Sequence, residues 1–330
     1  MKAALLYGIN DLRVVDVDRP QAGPGDILAK VKVCGVCPTD VRKYRTGNHG
    51  VSKLPFNMGH EWAGDLVEVG EGVKGFDVGM RVGGANYGGY AEFNCVRRAE
   101  FEEFAPYSEA LLMPIPDNLS YEQAVFIEPL ADCFHAVVTQ AQTQVGDTML
   151  VIGSGQMGIQ IMMAAKSIGA KVILADMLKE RLRLGFEFGA DETVNTSKSN
   201  LKDEVMKITR GKGADVVITS VAEPSAIVRG LELVKKRGKV VIFGGAPTGT
   251  MIQLDPNLVH YNEVSLLGSE WIGAGGFLDA RMCHVALEMI QSRRIPVDRL
   301  ISHRYALEQI HEAFRAIENR EALKCVIAMA

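Results

Sequence analysis

Long apolar runs are missing from this sequence: nowhere in its 330 residues is there a stretch near the ~20 consecutive apolar residues that a bilayer span requires. The opening Met1-Lys2-Ala3-Ala4-Leu5-Leu6-Tyr7-Gly8 is too short an apolar segment for a signal peptide and lacks a small-residue cleavage site. A cytoplasmic protein without a membrane role is therefore expected. Charge of one sign is lacking too, since 36 Lys and Arg against 40 Asp and Glu leave a net charge of −4, with a pI near 6.0. Such a surface has no general attraction for phosphate backbones, which argues against nucleic-acid partners. Cysteine is sparse: six residues lie scattered along the chain with one close pair, Cys34 and Cys37. That excludes a disulfide scaffold and leaves metal ligation or nucleophilic chemistry for any special thiol. What remains, 47% apolar and 23% charged residues, is globular material with enough apolar content for a core. At roughly 150 residues per domain, the length implies two domains.

The first hundred or so residues read as short strands broken by glycine: Lys2 to Tyr7, Ile27 to Val33, Gly64 to Val69, Met80 to Val82 and Tyr90 to Cys95. Many short alternations with turns between them predict a β-barrel or sandwich. From about Gly146 the pattern changes to strands separated by helices, beginning with Thr148 to Gly153, Met157 to Ile168 at helical spacing, and Lys171 to Ala175. Further strands are predicted at Asp215 to Thr219, Lys239 to Phe243 and Val264 to Leu267, with helices near Leu178 to Phe188 and Ala226 to Leu233. This alternation predicts an α/β domain with a doubly wound parallel sheet. Helices at Leu278 to Ile290 and Leu307 to Ile317 and a strand at Lys324 to Ala328 complete the chain.

Gly153-Ser154-Gly155-Gln156-Met157-Gly158 has the form G-x-G-x-x-G between a predicted strand and a predicted helix. The first glycine permits a tight turn, the second lets backbone approach a pyrophosphate, and the third lets helix pack on strand. Asp176 ends the second strand, 23 residues after Gly153, where a carboxylate can accept hydrogen bonds from both adenosine ribose hydroxyls. It would repel a 2′-phosphate, so NAD is the expected cofactor.

Cys34-Gly35-Val36-Cys37 has C-x-x-C spacing, compatible with a zinc knuckle, a redox pair or two buried small residues. A zinc ribbon needs a second pair, which is absent. A redox pair belongs in a βαβ unit, and this one lies in the all-β region. His60-Glu61 follows with 22 residues between, and no histidine stands four residues beyond His60, so the H-E-x-x-H protease helix is excluded. One thiolate, one imidazole and one or two carboxylates would make an open zinc site of catalytic type.

These residues together resemble the zinc-containing medium-chain dehydrogenase/reductase family, and within it the sorbitol and threonine dehydrogenase branch. The resemblance runs from Cys34-Gly35-Val36-Cys37-Pro38-Thr39-Asp40 through Gly59-His60-Glu61, Gly88-Gly89-Tyr90-Ala91-Glu92 and Glu128-Pro129-Leu130 to Leu323-Lys324-Cys325-Val326-Ile327. It implies a GroES-like β-barrel catalytic domain over residues 1–128 and 270–330, and an NAD-binding Rossmann domain over 129–269. The reaction would take place in the cleft between them. By the same resemblance one catalytic Zn2+ would be held by Cys37 and His60, by Glu61 directly or through exchange with water, and by Glu128 as fourth ligand or through the zinc-bound water, with Cys34 in the barrel core. Thr39 would pass on the alcohol proton, and Asp40 would orient His60. Gly153, Gly155, Gln156, Met157, Gly158, Asp176 and Arg181 would bind the cofactor. The implied substrate is a polyol or sugar oxidised at a secondary alcohol. A homo-dimer or homo-tetramer is implied, associating around Leu267 to Phe277.

The sequence departs from this pattern twice. The four-cysteine structural zinc lobe should fall between Arg81 and Pro116, where Cys95 is the single cysteine, so no structural metal is expected. The relay histidine five residues after the ligand cysteine is Arg42, which stays protonated and cannot act as a base. Rival readings are a threonine-type or other alcohol dehydrogenase, a zinc-free NADPH quinone reductase, and a non-catalytic NAD-binding protein. Tyr44, Arg45, Asn48, His49, Glu270 and Trp271 are candidate polar groups near the substrate.

Overall fold

The alternating segments of the first hundred residues form strands. In the computed structural model, which describes residues 1–47, 53–103, 111–247, 249–270 and 280–330, these are β1 Lys2–Gly8, β2 Asp11–Asp16, β3 Ile27–Gly35, β4 Phe56–Asn57, β5 Glu61–Val69, β6 Arg81–Gly84, β7 Phe93–Val96 and β8 Leu112–Pro114. The strands β9 Thr148–Ile152, β10 Lys171–Asp176, β11 Glu192–Asn195, β12 Ala214–Thr219, β13 Val234–Ile242 and β14 Ser265–Gly268 follow, and β15 Ile301–Ala306 and β16 Lys324–Ala328 close the chain. The chain divides into two compact units, Met1–Pro129 with Ile272–Ala330, and Leu130–Trp271.

In the first unit β3 is the organising strand. It pairs antiparallel with β5, β7 and β16, within the order β15-β16-β3-β5-β6-β8, while β2-β1-β4 form a separate sheet. Ile27, Val31, Cys34, Trp62, Tyr90 and Phe314 are buried in its core. Trp62 is accommodated because its indole N–H donates to Asn86 at 3.1 Å, so the buried ring leaves no orphaned donor.

The second unit is a six-stranded parallel sheet in the order β11-β10-β9-β12-β13-β14. Renumbered within the unit this is 3-2-1-4-5-6, the doubly wound arrangement whose strand order reverses between β9 and β12 while the strands stay parallel. The turn Gly153–Gly155 leaves β9 at that switch point. Gly153 has φ of +106°, a conformation that glycine adopts freely, and helix Gln156–Ser167 starts directly after the turn. A Cβ on Gly158 would stand 1.9 Å from the Gly153 carbonyl oxygen, so this helix can pack on the turn only with glycine there.

The parallel sheet and the strand-rich first unit agree with the sequence reading, but several elements are new. The four-residue β11 is a short edge strand with polar residues at both ends, below the length at which alternation is visible. Helix Pro38–Thr46 escaped because its buried face is Asp40, Val41 and Lys43, and hydrophobic periodicity cannot register a buried face made largely of charge. The C-terminal helical segment opens as a 3₁₀ turn, Leu307–Gln309, before helix Ile310–Glu318. No helix among the described residues is long and apolar enough to cross a membrane.

Gly158→Ala is expected to lower stability by about 1–3 kcal/mol, because backbone must shift to admit the methyl group. Gly268→Ala, where an added Cβ meets nothing within 4 Å, serves as the control and should stay within about 0.5 kcal/mol of the parent. Thermal unfolding of both compares them.

Candidate active site

Three side chains predicted as metal ligands converge in the first unit: the ligand atoms of Cys37, His60 and Glu61 all lie within 4.8 Å of one another. Their placement follows from the ends of two strands. Cys37 stands two residues beyond β3, in extended conformation at the cap of helix Pro38–Thr46, with Pro38 at the first helical position where its missing N–H costs nothing. His60 immediately precedes β5 and Glu61 opens it, and the β3–β5 register sets Glu61 opposite Gly35.

Glu61 is nearly fully buried and ion-paired with Lys324, whose side chain is fully buried. The pair bridges 263 residues of sequence through the strand order: β16 lies beside β3, with Val326 opposite Gly35, and Lys324 two positions earlier shares that face. Gly35 makes room for it, since a Cβ there would lie 2.3 Å from the Glu61 carboxylate and 3.0 Å from the lysine Nζ. Burial disfavours the Lys324 cation, but Glu61, Cys37 and Glu128 outweigh it and hold its pKa above the ordinary value. The other Glu61 oxygen, Oε1, is buried without a partner.

Asp40, completely buried, supports His60 from the helix. Its Oδ1 faces His60 Nδ1 at 3.4 Å, beyond hydrogen-bond geometry, and its Oδ2 accepts the Tyr90 hydroxyl at 2.7 Å. Burial alone would raise the Asp40 pKa; His60, the Tyr90 hydroxyl and Lys43 together hold it below the usual carboxylate value. Burial works against the His60 cation, yet Asp40 and the Cys37 sulfur push its pKa well above normal.

Glu128 lies in the first turn of helix Ile127–Phe134 and is partly buried. It does not join the three converging ligand atoms. Desolvation, with Glu61 and Asp40 nearby, pushes its pKa up to about 7 against the opposing pull of His60 and Lys324. It also lines a small cavity of about 10 Å³, with Gly83, Gly84, Met113, Ile127 and Cys283. Thr39 is partly exposed in the first turn of helix Pro38–Thr46, beside Cys37 in sequence. Cys34 is fully buried in the core, and burial raises its thiol pKa well above normal.

The second unit builds the phosphate-type turn. Asp176 accepts the Ser154 backbone N–H at 2.7 Å on Oδ2 and the Leu178 N–H at 2.9 Å on Oδ1, which fixes the carboxylate against the glycine turn. The helix Gln156–Ser167 has no side-chain cap at Gly155, so its first N–H groups have no side-chain acceptor there. Gln156 is buried with both side-chain polar atoms unpartnered, and Met157 and Gly158 follow in the first turn. Arg181, on helix Lys179–Glu187, brings a guanidinium nitrogen to 3.3 Å from where a Gly155 Cβ would stand.

Among the remaining candidates, Arg45 is committed to Glu318 and Asn10, and the Tyr44 ring packs edge to face on Phe314. These two serve the helix packing rather than the ligand cluster. Asn48, His49 and Trp271 lie outside the described residues, and Glu270 is exposed. Lys324 and Lys43 were missed in the sequence reading. Lys324 lay within a quoted segment, and lysine in an otherwise apolar closing strand, Lys324-Cys325-Val326-Ile327-Ala328, was the available signal.

Two family descriptions match the chain: "Alcohol dehydrogenase GroES-like domain" over residues 23–117 and "Zinc-binding dehydrogenase" over residues 155–291. A sorbitol dehydrogenase of Bacillus subtilis is 30% identical, covering 99% of this chain and 97% of its own. The crystal structure of a 2R,3R-butanediol dehydrogenase from Bacillus subtilis superposes with a TM-score of 0.86 at 27% identity, covering 99% of both chains. A putative zinc-binding dehydrogenase from Sinorhizobium meliloti 1021, bound to NADP, also gives a TM-score of 0.86 at 27% identity, covering 99% of this chain and 98% of that one.

Lys324→Met is expected to destabilise the metal-free protein by about 3–5 kcal/mol, because Glu61 is left as an unpaired buried charge. Adding Glu61→Gln should recover much of the loss; a double variant no more stable than Lys324→Met would show that the pair is not the cause. Glu128 predicts a pH effect of definite sign. Its folded pKa of about 7 exceeds the ordinary 4.5, so its share of stability is full below pH 4.5 and is lost as pH rises towards 7. In the metal-free protein Glu128→Gln should therefore be neutral near pH 4 and stabilising at pH 8, by roughly 3 kcal/mol at most, as urea unfolding at the two pH values would read.

Proposed function

The chain belongs to the zinc-containing medium-chain dehydrogenase family, and on that footing we propose that it oxidises a secondary alcohol of a polyol or sugar to the ketone, passing the hydride to NAD. The observation that carries this reading is the convergence of Cys37, His60 and Glu61 beside a buried carboxylate and a buried lysine that hold two of them in place.

The donor set suits zinc. One soft thiolate, one imidazole and one carboxylate match its preferred ligands, and the orphaned, buried Glu61 Oε1 is an acceptor awaiting a cation. A bound zinc ion would polarise the substrate hydroxyl and lower its pKa. Cys37 and His60 would hold the ion, with Asp40 setting the imidazole's orientation from its Nδ1 side. Glu61, paired with Lys324, would also be drawn to the ion, and Glu128 is the further carboxylate available to the site. Thr39 would accept the substrate hydroxyl proton and pass on its own. Arginine at position 42 cannot continue that relay as a base, so the proton would leave through water or another group.

The turn at Gly153, Gly155 and Gly158 suits a pyrophosphate at the start of its helix, with Gln156, Met157 and Arg181 around it. NAD would accept the hydride. Asp176, already fixed by two backbone N–H groups, keeps free lone pairs for ribose hydroxyls and would repel a 2′-phosphate. Support for the substrate comes from the sorbitol and butanediol dehydrogenases that the chain resembles.

The test is turnover of zinc-loaded protein with sorbitol, xylitol, 2,3-butanediol, aldoses, threonine, ethanol and hexanol, each with NAD and NADP, alongside elemental analysis. Polyols with NAD should give the highest catalytic efficiency, with one zinc per chain. Preference for ethanol or hexanol would remove the polyol assignment, and preference for threonine would favour the amino-alcohol alternative. Equal efficiency with NADP would mean that Asp176 does not meet the ribose.

A further inference from the structure

Among the described residues the buried Asp, Glu, Lys and Arg side chains are Asp40, Lys43, Glu61 and Lys324. The reading above gives a task to three of them. Lys43 is left over. It stands one helical turn after Asp40 and is 2% exposed. An ammonium carries three donors, yet the described hydrogen bond of Lys43 runs to a neutral group, the Tyr87 hydroxyl, at 2.7 Å. Asp40 acts on it through space without forming an ion pair. Its Nζ also lies over the Tyr87 ring, 4.6 Å from the centroid, so both described contacts of the buried cation run to this one neutral side chain, and burying a cation against a neutral partner is costly.

Tyr87, by contrast, is partly exposed. Its ring meets the His60 imidazole edge to face at 5.4 Å and Phe56 at 5.1 Å, which fixes the phenol beside a proposed metal ligand. Lys43 donates to the phenol oxygen, so the Tyr87 proton is directed elsewhere and is made a stronger donor by the adjacent cation. No described residue accepts it.

We propose that Tyr87, positioned and polarised by Lys43, donates a hydrogen bond to the substrate hydroxyl on the carbon next to the one oxidised, so that the site selects vicinal diols over isolated secondary alcohols. This rests on the dehydrogenase reading above. The oxidised carbon's oxygen would face the ligand cluster, and in a vicinal diol the second oxygen lies a short, fixed distance from the first. A donor whose ring meets His60 edge to face is suited to reach it. Lys43 is a positioning residue; Tyr87 touches the substrate.

The experiment compares 2,3-butanediol with 2-butanol on zinc-loaded parent protein, Tyr87→Phe, Lys43→Met and the double variant. It measures kcat and KM with NAD, zinc content, and calorimetric binding of each alcohol. The ratio of diol to mono-alcohol efficiency should fall about tenfold in each single variant, through KM rather than kcat, with diol affinity falling in parallel and zinc retained. The double variant should lose no more than Tyr87→Phe, because Lys43 acts through Tyr87. If Tyr87→Phe fails to fold with Lys43 stranded, the double variant, which removes both groups, carries the comparison. Equal losses on both alcohols, or loss of zinc, would overturn the proposal and make Lys43 a counter-charge to Asp40. Turnover of neither alcohol by the parent, with Tyr87-dependent binding of the diol intact, would overturn the dehydrogenase reading alone. A parent that binds or turns over both alcohols equally well overturns the diol selection alone.

Discussion

Desolvation of charge is the constraint around which the first unit is arranged. Its buried carboxylates and ammonium groups crowd around one partly exposed thiol, and in a low-dielectric interior each must find a partner or lose its charge. The Lys324–Glu61 pair meets that demand across three adjacent strands. It requires β16 beside β3, β3 beside β5, and a glycine at position 35 between the two side chains. The last strand of the chain is thus part of the site formed near its beginning. As a proposed ligand, a Glu61 tethered by lysine would be a restrained one: one oxygen is occupied and the other has no hydrogen-bond partner.

The second unit solves a related problem with backbone instead of side chains. At its turn a carboxylate, Asp176, is satisfied by two main-chain N–H groups, and the N–H groups at the start of the adjoining helix have no capping side chain. Both units therefore hold unspent polar capacity at fixed positions, an unpartnered carboxylate oxygen in one and uncapped amides in the other. Such capacity in a folded core is costly unless something binds it. The proposed chemistry follows from which partner each would prefer: a divalent cation suited to soft ligands for the thiol, imidazole and carboxylate, and an anion with ribose hydroxyls for the glycine turn.

Much of this was legible from residue order. The glycine turn, Asp176, and the trio Cys37, His60 and Glu61 are local motifs in which spacing carries the chemistry, and the structure brings the trio together. Glu128 is less well served by such reasoning, since its position in a helix start says nothing about how near it comes to the other ligand atoms. Arg45 looked like a substrate-facing group and is instead spent on Glu318, 273 residues away. Helix Pro38–Thr46 was hidden for a physical reason: a helix whose inner face carries Asp40 and Lys43 has the periodicity of a surface segment.

By itself the sequence determined the alternation that makes one unit β and the other α/β, the glycines that permit the nucleotide-type turn, and the donor types of the proposed metal ligands. Each depends on properties of neighbouring residues: conformational freedom, period and donor chemistry. Tertiary structure alone decided which charges are buried and what answers them. Lys324 pairs with Glu61, Tyr90 with Asp40, and Lys43 with Tyr87 because strand order and helix packing bring distant segments together. A lysine reads the same in sequence whether solvated or enclosed; only the fold removes the water, and with it the indifference of a charge to its neighbours.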